Sequence, residues 1–377
     1  MKYFRHAGKG GRQRAFTLVE LMVSVAVLVL LMAICFSILA QTSTVSKSAT
    51  QKIDAFQGAR LAFDLMTRQL AHATLNTYID YDNPAAPQHY LRRSDLKFLI
   101  GPAGSPLGAG TLPGTADTGQ CIFFAGPAGR ANSSSYAAMD SLLNVCGYYV
   151  SFEDAAQSVM PPFIQNTLRG QQSHYRFCLM QLVVPTDQTG ATGSLYPLPA
   201  PTTTAQWTSW QTGSHQYDWF SNFISGSSSS SSGPVLLAEN IIALIIRPRD
   251  PSVSLTGATG QNPDLSSDNP NNPDYVYDST ENATTFPQPR TANQLPPVLE
   301  VTMIAIDEIS ALHLESGTNI PKAIASALGS RFKVAANFTS DLAAVEAALS
   351  STAPGQPRIQ YRVFSSTVPI LEAKWTK

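Results

Sequence analysis

The run from Phe16 to Ala40, FTLVELMVSVAVLVLLMAICFSILA, constrains this chain more than any other stretch. It holds 25 consecutive residues with one charge, Glu20, at its fifth position. At ~1.5 Å per residue a helix of that length covers about 37 Å, enough to cross a hydrocarbon core of ~30 Å. The residues before it, MKYFRHAGKGGRQRA, carry Lys2, Arg5, Lys9, Arg12 and Arg14 and no acid. Basic residues ahead of an apolar helix hold that end in the cytoplasm.

A cleaved secretory signal has an apolar core of about 7–15 residues and a small-x-small cleavage site. This run is longer, carries an acid and ends in Ile38-Leu39-Ala40, which fits such a site poorly. A lipoprotein signal needs a small residue before the cysteine, and Ile34 precedes Cys35. A plain signal anchor remains open. It has no use for Glu20, however, because an intramembrane carboxylate costs about 2.5–3.5 kcal/mol on insertion scales and is by default functional.

The basic leader, the Ala15-Phe16 junction and the string Phe16-Thr17-Leu18-Val19-Glu20-Leu21 resemble the amino terminus of type IV prepilins and type II secretion pseudopilins. The resemblance implies cleavage by a prepilin peptidase between Ala15 and Phe16 and methylation of the new Phe16 amine. It also implies Glu20 as the assembly residue, fifth in the mature chain, and a periplasmic head on a single-pass anchor in the bacterial inner membrane. In one position the chain departs from the pattern: the residue before the cut is usually glycine, and here it is Ala15.

From Gln41 to about Thr77 there is no proline and one glycine, Gly58. Ala49, Ile53, Phe56, Ala59, Phe63, Met66, Leu70 and Ala73 recur near the helical period. One helix is therefore expected to continue to about residue 80 and to end by Asn83-Pro84, with its apolar stripe on a globular head. A coiled-coil dimer is the alternative. The block from Ala59 to Leu70 resembles the same part of minor pseudopilins.

The expected fold is α+β, a long amino-terminal helix packed on a mainly antiparallel sheet. The expected parts are a leader over 1–15, a membrane and assembly helix over 16–40, its amphipathic continuation over 41–80, and a β-rich head over 81–377. Insertions interrupt the head at about 186–233 and 249–296. Strands are predicted over Cys121–Ala125, Val145–Phe152, His174–Val184, Val235–Arg247, Leu295–Ile306 and Arg358–Phe364. A short helix is predicted over Ser340–Leu349, capped by Thr339 or Ser340. Val235–Arg247 and Leu295–Ile306 resemble strands of the minor pseudopilin J. The tail VFSSTVPILEAKW and the architecture resemble the prepilin-type "cassette protein C" family of Verrucomicrobia.

Only 14% of residues are charged, against a usual quarter, and the net charge is −1. That balance gives no reason to expect a nucleic-acid partner. Cys35 lies in the apolar run, leaving Cys121, Cys146 and Cys178 in the head, too far apart for a CxxC site. Cys121 and Cys146 each lie near the start of a predicted strand, so a Cys121–Cys146 disulfide is expected; three buried free thiols are the alternative. Trp207, Trp210, Tyr217, Trp219, Phe220 and Phe223 cluster in the first insertion and read as a satellite core rather than a binding platform. Asp264, Asp268, Asp274 and Asp278 are weak calcium candidates, without EF-hand spacing. No other cofactor is expected.

No GxSxG, HExxH, Walker A or GxGxxG motif occurs, and His72, His89, His174, His215 and His313 are scattered. The chain reads as a structural filament subunit, not an enzyme. The alternative is a membrane-tethered extracytoplasmic domain that binds a glycan, calcium or an envelope protein.

Overall fold

The computed structural model describes residues 18–83, 85–102, 119–136, 138–139, 141–155, 174–187, 217–224, 233–251, 265, 275–314, 317–329, 331–351 and 359–374, with the side chains of 40, 43–55, 218 and 222 outside that set. The chain divides into two compact units, Met1–Ile53 and Asp54–Lys377. Helix α1 is Leu18–Ala71. In the first unit Leu18–Leu39 is apolar and exposed on all sides, long enough to cross a membrane.

In the second unit α1 turns one side inward. Ala59, Ala62, Phe63, Met66, Leu70 and Ala73 are buried and Phe56 is half-buried, while Leu61 and Leu65 face out. The expected stripe is thus seated on a sheet; its members Ala49 and Ile53 lie outside the described side chains. The helix stops at Ala71, short of Asn83-Pro84. His72 N–H bonds to Gln69 O at 3.1 Å and Ala73 N–H to Leu70 O at 3.0 Å, tightening the last turn. Thr74 N–H then goes to Ala125 O at 2.8 Å, and Leu371 N–H reaches the Ala71 carbonyl at 3.0 Å. Tertiary partners for these backbone groups end the helix before any proline is needed.

Among the described residues eleven strands follow: β1 Tyr78–Tyr81, β2 Tyr90–Arg93, β3 Phe98–Pro102, β4 Gln120–Pro127, β5 Leu143–Asp154, β6 Tyr175–Val184, β7 Val235–Glu239, β8 Ile241–Arg249, β9 Tyr277–Asp278, β10 Val298–Ile306 and β11 Tyr361–Pro369. Helix α2, Asp218–Ile224, lies between β6 and β7. Helices α3 Glu308–Leu314, α4 Lys322–Leu328 and α5 Phe338–Ser350 lie between β10 and β11. The strands form a six-stranded sheet, β7-β6-β5-β4-β3-β9, a three-stranded sheet, β11-β10-β8, and the β1-β2 hairpin. The strand pairings within these sheets are antiparallel.

Both faces of the six-stranded sheet are covered, which is why its strands read as near-continuous apolar runs. Ile122, Phe124, Tyr148 and Val150 join α1, β8 and β10 in one core. Leu99, Phe123, Tyr149 and Leu182 point the other way, to Trp219, Phe220 and Phe223 of α2. Gly147 lies opposite Phe123, and a Cβ there would come within 2.3 Å of the Phe123 ring. That ring stacks on Phe220 with centroids 4.0 Å apart. The described part of the aromatic cluster is thus a satellite core; Trp207 and Trp210 lie outside the described residues.

The stretch predicted as one strand over Val235–Arg247 is two, divided at Asn240 with φ 63°. β7 pairs with β6, and β8 crosses to the other sheet. Asparagine tolerates this left-handed backbone better than most side chains. The predicted strand at Leu295 begins at Val298, after Pro296 and Pro297, which lack N–H donors. The last strand runs Tyr361–Pro369, later than Arg358–Phe364. Helix α5 begins at Phe338 behind Asn337, with no side-chain cap bond; Ser340 Oγ instead donates to Asn337 O at 2.8 Å.

Candidate functional site

The candidate site is the apolar half of α1. Glu20 lies in its first turn, on one side with Val19, Val23, Ser24, Val27 and Leu31. Leu18 is 76% exposed and Phe36 67% exposed, and among the described residues none of the Leu18–Leu39 span is buried. Moving a leucine, valine or phenylalanine side chain out of water is favourable by about 1.5–3 kcal/mol each, so this surface requires lipid or other helices around it. Two hydroxyls, one inside the span and one just beyond it, are locally satisfied. Ser24 Oγ donates to Leu21 O at 2.9 Å and Thr42 Oγ1 to Ile38 O at 2.8 Å, so neither needs water. Ala15 and Phe16 lie outside the described residues.

The head holds α1 through polar contacts as well as apolar ones. Tyr148 OH donates to Gln69 Oε1, and Gln181 Nε2 donates to Gln69 Oε1 at 3.0 Å and to Tyr148 OH at 2.9 Å. Gln69 Nε2 points at Cys146 Sγ, 3.0 Å away. Burial pushes the Tyr148 phenol above its ordinary pKa, so it stays a donor. A second polar node fixes the corner between the sheets. Glu308 Oε1 accepts from Arg176 Nη2 and Oε2 from Asn240 Nδ2, both at 2.8 Å, while Asn240 O accepts the Ile306 N–H at 2.9 Å. The sequence reading missed both nodes. Gln69 carries a faint signal, a polar residue between Met66 and Leu70 on the apolar side of a helix.

The expected Cys121–Cys146 disulfide is not formed. All four cysteines are free thiols. β4 and β5 do pair, but Cys146 lies opposite Phe124, and Cys121 faces the α2 side of the sheet while Cys146 faces α1. A residue offset of three puts the two thiols on opposite faces, because side chains alternate along a strand. Burial pushes both Cys121 and Cys146 up to about 12, and raises Cys178 as well.

Of the four aspartates considered for calcium, Asp264, Asp268 and Asp274 lie outside the described residues. Asp278 is buried in β9, where Oδ1 accepts Thr280 N–H at 2.8 Å and Thr280 Oγ1–H at 2.7 Å. Tyr217 OH donates to its Oδ2 at 3.3 Å. Burial raises the Asp278 carboxyl, and the Thr280 bonds and Lys97 work against that rise. It is an anchor between β9 and the segment leading into α2. Among the described residues no three His, Cys, Asp or Glu side chains come together as a metal site.

Set against known proteins, the chain matches the family described as the prokaryotic N-terminal methylation motif over residues 10–36. No curated protein and no solved structure matches it. The matched residues include Glu20 and most of the exposed apolar span, and the motif belongs to structural, processed subunits rather than to enzymes. At the amino terminus, then, the chain carries a prepilin-type motif, which supports the prepilin and pseudopilin family.

Proposed function

We propose that this chain is a minor pilin or pseudopilin-like subunit of a filament rooted in the bacterial inner membrane. A prepilin peptidase would cut before Phe16, the new amine would be methylated, and the head would stand in the periplasm. The filament would be of the type IV pilus or type II secretion kind, with other pilin-type subunits and membrane lipid as partners. The observation that carries this reading is the methylation motif over residues 10–36 lying on an exposed apolar helix. The likenesses to the minor pseudopilin J and to the cassette protein C family narrow its lineage within that proposal.

Glu20 does the specifying work in this account. Cleavage leaves Phe16 with a protonated amine, and that cation and the Glu20 carboxylate are each costly to bury alone. Paired between neighbouring helices, each offsets the other's desolvation, and the pair forms at one axial offset. Buried charge used this way specifies register more than it adds stability. Glu20→Ala is expected to insert and be cleaved normally yet stay out of the sheared filament fraction, with Glu20→Asp affected less. Assembly of Glu20→Ala at the wild-type level would make the charge incidental and favour a tethered binding domain.

A further inference from the structure

The two edges of the three-stranded sheet differ. At β8 the start of β4 meets the edge: Gly119 bridges Leu244, and Gln120 Oε1 accepts the Ile246 N–H at 3.0 Å. A Cβ on Gly119, at φ +115°, would lie 2.1 Å from the Leu244 carbonyl oxygen, so that closure requires glycine. The β1-β2 hairpin is partly capped. Gln288 accepts the Arg92 N–H at 2.7 Å and donates to Arg92 O at 2.9 Å, and on the other side Tyr81 N–H donates to Asp80 Oδ1 at 2.8 Å and Tyr81 O accepts from Arg93 Nη2 at 3.0 Å. Edge strands left open are pairing sites, and at β8 and at Arg92 partners within the chain already take the edge groups.

β11 is open. Two bonds fix which of its backbone groups face β10: Asp307 N–H to Gln360 O and Ile370 N–H to Pro297 O, both 3.0 Å. Antiparallel pairs alternate between bonded and non-bonded positions. Arg362, Phe364, Ser366 and Val368 therefore turn their N–H and C=O groups to β10, and Tyr361, Val363, Ser365 and Thr367 turn theirs outward. Those four outward N–H groups have no partner among the described residues. Pro369, next in phase, has no N–H and ends the row.

We propose that β11 pairs antiparallel with β11 of a second copy of this chain, about a two-fold axis at Phe364. An edge offering N–H and C=O at alternate residues is matched by another extended backbone. In this register Tyr361 lies opposite Thr367 of the second copy and Val363 opposite Ser365, so all four outward residues exchange hydrogen bonds. Sliding the copies by two residues leaves one of the four unmatched. The charges agree as well: Arg362 falls opposite Ser366 and never opposite its own copy, avoiding the like-charge pair that destabilises a cross-strand contact. Phe364, whose ring packs on Phe63 of α1 with centroids 6.0 Å apart, falls opposite Phe364 of the second copy at a close, non-bonded position. This pairing needs neither cleavage at Phe16 nor filament growth, so either proposal can fail while the other stands.

The test uses the full chain in detergent micelles with Cys35→Ser, which removes the exposed native thiol and leaves three buried ones. Chains carrying Arg362→Cys are mixed with chains carrying Ser366→Cys under mild oxidation. Non-bonded antiparallel pairs have Cα atoms about 4.5 Å apart, within disulfide reach, whereas each cysteine is far from its own copy. The mixed disulfide is expected in about tenfold excess over either self-link. Equal yields of the three species, or no dimer, would overturn the pairing. Ser365→Pro removes one outward N–H and no β10-facing one, so it should abolish the mixed link; it also gives up the Ser365 hydroxyl contact with Thr302 Oγ1 at 3.1 Å, so its thermal melt should match that of Ser365→Ala, which gives up the same contact and keeps the N–H and the link. Thr367→Pro serves the same purpose if Ser365→Pro does not fold, and an undiminished link in a folded proline variant would also overturn the pairing.

Discussion

Tyr148, in the middle of β5, donates its phenolic hydrogen to the Gln69 side-chain oxygen on α1. That bond sits in the core where the helix meets the sheet. An apolar stripe alone lets a helix slide along a sheet at little cost, because the hydrophobic effect is not directional. A buried hydroxyl and a half-buried amide that satisfy each other fix one axial position.

The first prediction concerns that pair. Gln69→Leu leaves the buried Tyr148 hydroxyl with Gln181 alone, and is expected to cost about 1–3 kcal/mol. Adding Tyr148→Phe removes the stranded group, so the double variant should be more stable than the sum of the singles implies, by about 0.5–3 kcal/mol. Denaturant titration of the full chain in detergent measures both. Strict additivity would mean the two side chains do not act together.

Asn240 gives the second. At φ 63° a Cβ costs roughly 1–2 kcal/mol for residues without asparagine's local hydrogen bonding, and glycine escapes that cost. Both Asn240→Ala and Asn240→Gly lose the bond to Glu308. Alanine should therefore be the worse of the two by about 1 kcal/mol in the same titration. Equal losses would place the whole effect in the side-chain bond.

The third follows from the thiols. Cys121, Cys146 and Cys178 are buried, and with Cys121 and Cys146 both pushed up to about 12 they carry almost no thiolate at neutral pH. Alkylation of the native chain at pH 7.5, read by peptide mass mapping, should label Cys35 when it is freed from lipid and leave the other three unlabelled. All three should label after denaturation without reductant. A Cys121–Cys146 peptide pair would contradict the opposite-face placement.

The elements most legible in the sequence are those whose signal is local. The apolar run at Phe16–Ala40, the aromatic and β-branched runs of β5 and β6, and the stripe from Phe56 to Ala73 each state their burial in the local sequence. What depended on partners far along the chain was not legible. Nothing near Val235–Arg247 announces that Asn240 turns the strand into another sheet, because Glu308 and Ile306, which hold the turn, lie more than sixty residues on. The expected disulfide failed for the same reason. Two cysteines on adjacent strands pair only if the register puts them on one face, and the register is set by the whole sheet. The end of α1 was misplaced because Ala125 and Leu371, not a proline, take its last backbone groups.

If the chain is a prepilin-type subunit, its mature amino terminus carries the mark of that processing. Co-expression with a prepilin peptidase, followed by mass spectrometry of the membrane fraction, should show loss of the 15 residues before Phe16 and an N-methylated Phe16 at the new end. A membrane-bound chain that still begins at Met1, or one cut after Ala40, would contradict it.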